Sequence, residues 1–298
     1  MNEAVIWNDH APINAKEIVS LAHEYGIKVV WGYAWGWTTD CKKTLAEYSD
    51  EKREELKRGI IEVYENEYAD TGADGIYFQT FTETETETAN GRSVAEIAVE
   101  LVNGAAAALL EKHPELHVQF GLHATSVKTR LDVIKNVDPR VYIVWEDCGA
   151  FPFNYYPEKT ENFDETCSFT EKLLSLRGKN EKFGAVLKGT YKLDWTAFRH
   201  IAGRYILGER TENFIRGRRE EKRELKRYIE ARWKSNADYA RKLIRLIAEK
   251  NKDGIIEFLY EDGLLEDEIC PSIAFCAAAL WTPDVKTEEL LEKAEKLK

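Results

Sequence analysis

From residue 1 to about 207, short runs of β-branched and aromatic residues alternate with amphipathic stretches, the pattern of repeated βα units. Strands are predicted near 4–8, 27–35, 74–81, 116–122, 141–146 and 183–189, with helices near 14–25, 50–69, 93–112, 126–136, 164–177 and 195–207. Gly26, Gly72 and Gly75 stand where helix gives way to strand, and Ser93 with Glu96 forms a capping box at a helix start. The spacing then changes. Leu225, Tyr228, Ile229, Trp233, Ala240, Leu243, Ile244 and Ile247 mark one long amphipathic helix within 210–250. Residues 255–281 read as two further helical segments and 286–297 as a terminal helix.

Six βα units suit an open doubly wound sheet or a (β/α)8 barrel. The open sheet calls for a phosphate-binding fingerprint, and neither GxGxxG nor GxxxxGK[ST] follows a strand. An α/β fold of (β/α)8 TIM type is therefore expected, with residues 1–209 as the barrel and 210–298 as a helical region packed on it. Six strands fall short of eight. Either early strands are missing, or strands hide in the C-terminal third, or the barrel is incomplete.

Charge narrows the partners. The chain carries 42 Lys and Arg against 53 Asp and Glu, a net −11, the wrong sign for a general affinity for nucleic acid or anionic membrane. Residues 210–250 reverse the balance, with 14 basic against 7 acidic residues, which suits a solvated helix face or a basic surface for a partner, including a second copy of the chain. No apolar run approaches the roughly 20 residues of a spanning helix, and no signal peptide opens the chain. A cytoplasmic protein is expected, although an exported one with its leader removed would read the same. The five cysteines form no CxxC pair, and the six histidines show no metal-ligand spacing, so no metal or other cofactor is expected.

Candidate chemistry concentrates after the strands. In the segment from Trp31 to Trp37, the rings of Trp31, Tyr33, Trp35 and Trp37 share one face of an extended chain, interleaved with Gly32, Ala34 and Gly36. Such a row suits the apolar faces of sugars, the competing role being core packing. Tyr77, Gln79, Phe81 and Glu83 share a face of the third strand, which makes Glu83 a candidate acid. His117, Gln119 and His123 alternate with apolar residues, so His123 is placed to bind substrate or to sit satisfied in a core. Glu146, after Trp145, is a second candidate carboxylate, with a structural ion pair as the alternative. Asp9, Asp147 and Asp194 occupy similar ends, and Lys188 is either a charge partner or a Schiff-base nucleophile.

Taken together, the motifs resemble family 20 glycoside hydrolases, the β-N-acetylhexosaminidase group of (β/α)8 barrels. Residues 17–30 are similar to the helix and strand leading to that family's third barrel strand, and 76–83 to its strand ending in an Asp-Glu pair. Residues 144–147 are similar to its tryptophan-bearing strand, and 191–195 to its Tyr-Leu-Asp segment. The resemblance implies Glu83 as general acid and Tyr191, Asp194 and Trp195 in sugar binding, with the first two strands short or absent. Thr82 departs from the pattern, since the family has an aspartate there that orients the substrate's acetamido group. The expected function is glycoside hydrolysis by Glu83 and Glu146. Asp9, Trp31, Tyr33, Trp35, Trp37, Gln79, His123, Trp145, Asp147, Lys188, Tyr191, Asp194 and Trp195 are expected around a carbohydrate substrate. A sugar-binding barrel without catalysis and a lyase using Lys188 are the alternatives.

Overall fold

The computed structural model describes residues 2–8, 10–36, 41–123, 126–146, 163–178, 181–187, 204–208, 212–252, 255–260 and 271–296. The chain divides into two compact units, residues 1–144 with 199–208 and residues 145–198 with 209–298.

In the first unit β1 (Glu3–Trp7) leads to α1 (Ala15–Glu24) and β2 (Lys28–Gly32). Two helices, α2 (Cys41–Ala46) and α3 (Asp50–Val63), follow, and α3 runs on through a π-helical turn over Tyr64–Tyr68 before β3 (Gly75–Gln79). A two-residue hairpin, β4 (Thr88–Ala89) and β5 (Arg92–Ser93), precedes α4 (Val94–Lys112). Then come β6 (His117–Leu122), the single turn α5 (Leu131–Ile134) and β7 (Tyr142–Trp145). The second unit holds α6 (Phe163–Leu174), β8 (Lys182–Leu187), α7 (Glu212–Lys250), β9 (Ile255–Tyr260), α8 (Pro271–Trp281) and α9 (Thr287–Glu295).

Hydrogen-bonded strand order follows chain order, β1-β2-β3-β6-β7-β8-β9, and β1–β2, β2–β3, β3–β6 and β8–β9 pair in parallel. Successive strands without reversal, each returning through a helical crossover, define an α/β fold of (β/α)-barrel type. It carries seven barrel strands among the described residues where eight make a complete barrel. The seventh is β9, which corrects the helical reading of 255–260: Ile-Ile-Glu-Phe-Leu-Tyr pairs along β8 from Lys182↔Ile255 to Leu187↔Tyr260. The helix expected at 195–207 does not extend over 204–208, which is turn and coil, and the remainder of that span lies outside the described residues. The helix expected at 126–136 is the single turn α5.

Local chemistry sets the element ends. Ser93 Oγ accepts from Glu96 N at 3.1 Å while Glu96 Oε2 accepts from Ser93 N at 3.1 Å, closing the capping box that starts α4. Ser49 Oγ caps α3 by accepting from Lys52 N. In the second unit the α7 stripe is interior from Trp233 on, with Trp233, Ala240, Leu243, Ile244 and Ile247 buried and the Trp233 ring edge-on to Phe275 of α8. Thr287 Oγ1 donates to Asp238 Oδ1 at 2.7 Å and joins α9 to the same helix.

Candidate functional site

Both faces of the first unit's sheet are covered, and they differ in chemistry. One face meets the helices. Phe78 stacks between Trp35 and Phe120, at 3.5 and 5.4 Å between centroids and within 10° of parallel. Trp31 Nε1 donates to Thr71 Oγ1 at 3.0 Å, and Tyr33 stacks on Tyr68 at 5.1 Å while its hydroxyl donates to the Ile60 carbonyl. Trp31, Tyr33 and Trp35 do share one face, as their alternation requires, but it is the helix-packed face, and Trp35 is 0% exposed. The ligand wall expected from these three rings is therefore core. Trp145, edge-on to Phe169 and buried, is likewise interior in the second unit. Trp37 lies outside the described residues, as do Asp9, Asp147, Lys188, Tyr191, Asp194 and Trp195.

The opposite, inner face carries the polar residues. Register places Val5, Val30, Gly75 and His117 side by side, and then Trp7, Gly32, Tyr77 and Gln119. Gly32 and Gly75 are required by close approach. A Cβ at Gly32 would lie 2.5 Å from the Trp7 ring, and one at Gly75 would lie 2.4 Å from the His117 carbonyl oxygen. At the strand starts Gln119 Nε2 donates to Glu3 Oε1 and to His117 Nε2, each at 2.9 Å, and His117 meets the edge of Tyr142. Above them Trp7 and Tyr77 pack edge to face at 5.6 Å. At the C-terminal ends of β3 and β6, the end of a barrel that carries active sites, Gln79 Nε2 donates to His123 Nε2 at 3.2 Å.

The β3 strand ends at Gln79, and Phe81–Glu83 is a 3₁₀ turn. Strand alternation stops there. Phe81 packs edge-on to Tyr48, Thr82 is fully buried, and Glu83 is exposed. Thr82 Oγ1 accepts from His123 N at 3.2 Å, and its carbonyl accepts from Ser126 Oγ at 2.8 Å, so this side chain ties the end of β3 to the end of β6. Glu146 directly follows β7 and is 4% exposed. Of the expected residues, then, Gln79 and His123 are brought into direct contact. Trp7 and Tyr77 join them on the inner face. The signal for these two was available in Tyr77's parity with Gln79 and Trp7's position at the end of a strand.

No protein-family model matches the chain, and no curated protein matches it. Among solved structures it is similar to a glycoside hydrolase family 5 enzyme from Prevotella bryantii B14, at 12% identity and a TM-score of 0.46 over 99% of this chain and 81% of that one. It is also similar to an endo-1,4-beta-xylanase from Penicillium canescens, at 9% identity and a TM-score of 0.46 over 87% and 74%. Two further matches cover 62% and 63% of this chain and little more than half of their own, 57% and 52%. No described helix is long and apolar enough to cross a membrane.

Proposed function

We propose that the chain is a glycoside hydrolase acting on a carbohydrate through carboxyl groups at its strand ends. The observation that carries this reading is the Gln79–His123 pair set beyond the Trp7–Tyr77 rings on one face. Rings accept the apolar face of a pyranose, while an amide and an imidazole exchange hydrogen bonds with its hydroxyls. Hydrolysis needs one carboxyl group to protonate the leaving oxygen and a second to act as nucleophile or base. Glu146 and Glu83 are assigned these two roles. The burial of Glu146 favours it as the group that works shielded from water, and the exposure of Glu83 leaves it accessible from solvent. Tyr191, Asp194, Trp195, Asp9, Asp147 and Lys188 are retained as substrate-binding residues on sequence grounds alone. The Thr82 hydroxyl is committed to the His123 amide, so it supplies no charge to an acetamido group, and poor turnover of N-acetylhexosaminides is expected.

The test is hydrolysis of a panel of aryl glycosides, with and without a 2-acetamido group, by the parent and by Glu146→Gln and Glu83→Gln. Loss of an acid or base contributes about 10²- to 10⁴-fold, so turnover should fall at least a hundredfold in Glu146→Gln. Unchanged turnover in both variants removes the carboxyl assignment. Efficient cleavage of acetamido substrates alone removes the argument from Thr82.

A further inference from the structure

Among the described residues, the inner face carries a tyrosine whose polar atom the fold does not pair. Tyr77 is 5% exposed, and its hydroxyl is buried without a hydrogen-bond partner among the described residues. A buried hydroxyl left unpaired costs folding free energy that phenylalanine would not, because the same ring without its oxygen packs equally well. The Gln119 amide nitrogen, one strand over at the same level, is bonded to Glu3 and His117. Trp7 fills the space beside Gly32.

One level further along, the neighbours become small. The backbone bonds Tyr33 N→Tyr77 O and Trp35 N→Gln79 O carry the β2–β3 pairing onward, which sets Ala34 beside Gln79, and Gly121 stands in register on the other side. Beyond the Tyr77 ring, therefore, the flanking strands offer no bulky side chain at the level where Gln79 turns to His123.

We infer that the Tyr77 hydroxyl is a ligand-binding group that hydrogen-bonds a hydroxyl of a neutral sugar seated against the Trp7 and Tyr77 rings, with Gln79 and His123 contacting the same sugar. The inference rests on the carbohydrate reading above and extends it to a residue whose cost to the fold is repaid only on binding. A phenol and an amide are neutral hydrogen-bonding groups, which suits an uncharged hexose or pentose unit over a uronate or a phosphorylated sugar.

The experiment uses the whole chain and Tyr77→Phe, with thermal unfolding in the absence of sugar and calorimetric titration of cellobiose, xylobiose and N,N′-diacetylchitobiose. The midpoint of Tyr77→Phe should equal or exceed that of the parent. Affinity for whichever disaccharide the parent binds should fall about tenfold, the worth of one neutral hydrogen bond. A lowered midpoint without sugar means that the hydroxyl is bonded within the protein and overturns the inference. Equal affinity in the two proteins also overturns it and leaves the carbohydrate reading standing. Failure of the parent to bind all three sugars overturns the carbohydrate reading, and the inference falls with it.

Discussion

Replacing Trp35 by alanine separates a core ring from a ligand-facing one. The indole is fully buried and stacked on Phe78, which is stacked in turn on Phe120. A large aromatic side chain removes about 200 Å² from water, and at about 25 cal/mol per Å² its burial is worth about 5 kcal/mol. Alanine keeps only Cβ and leaves a cavity between Phe78 and its surroundings, so the loss should be about 3–5 kcal/mol. For a domain of ordinary stability, about 5–15 kcal/mol, that is a large fraction of the total. At about 2–4 °C per kcal/mol the thermal midpoint should drop by roughly 6–20 °C. Trp281 is the control. It is 86% exposed at the end of α8, and its truncation should change stability by no more than about 0.5 kcal/mol. Urea titrations followed by circular dichroism measure both. A Trp35→Ala protein as stable as the parent, with carbohydrate binding lost, would refute the core placement and restore the ring to the ligand.

Thr82→Val should cost about 1–3 kcal/mol, because it strips the buried His123 amide of its acceptor while preserving shape; a urea midpoint equal to the parent's would show that this bond does not join β3 to β6. Asp74 provides a pH dependence. Burial pushes its carboxyl upward, but the hydrogen bonds from His23 and from Val29 N outweigh burial and hold it below the usual aspartate range. A carboxyl depressed in the folded state stabilises above its unfolded pKa of about 3.9 and loses that contribution as the pH falls through the folded value. Urea midpoints of the parent and Asp74→Asn should therefore differ most near neutrality and converge below about pH 4, and a gap that does not depend on pH counts against the assignment.

The strands of the first unit were legible because each is a short β-branched or aromatic run between helical stretches, and β1, β2, β3, β6 and β7 fall within the predicted segments or a residue outside them. The face that each residue occupies was harder to read. In a sheet covered on both sides the strands are apolar throughout, and alternation tells which residues share a face without telling which face looks inward. That is why Trp31, Tyr33 and Trp35 stay together yet stand on the helix side. Glu83 raised a different problem. Its parity with Gln79 requires the strand to continue, whereas the backbone leaves the strand for a 3₁₀ turn over Phe81–Glu83, where alternation loses its meaning. For β9, five apolar and aromatic residues around Glu257, set between helical stretches, are ambiguous by periodicity alone, and pairing with β8 decides the matter.

The two faces of the first unit's sheet divide its residues by the experiment that reports on them. On the helix side the indole of Trp31 and the hydroxyl of Tyr33 are bonded to protein groups and the rings are stacked, so substitutions there move stability. On the inner side the Gln119 amide nitrogen joins Glu3 and His117. Toward the strand ends Gln79 bonds His123, and the Tyr77 hydroxyl has no hydrogen-bond partner among the described residues. A protein optimised for stability alone would carry apolar residues at these positions, since each buried polar group must recover its desolvation from a partner. A hydroxyl-bearing ligand at the C-terminal ends of β3 and β6 would give the Tyr77 hydroxyl the partner that the described residues do not supply.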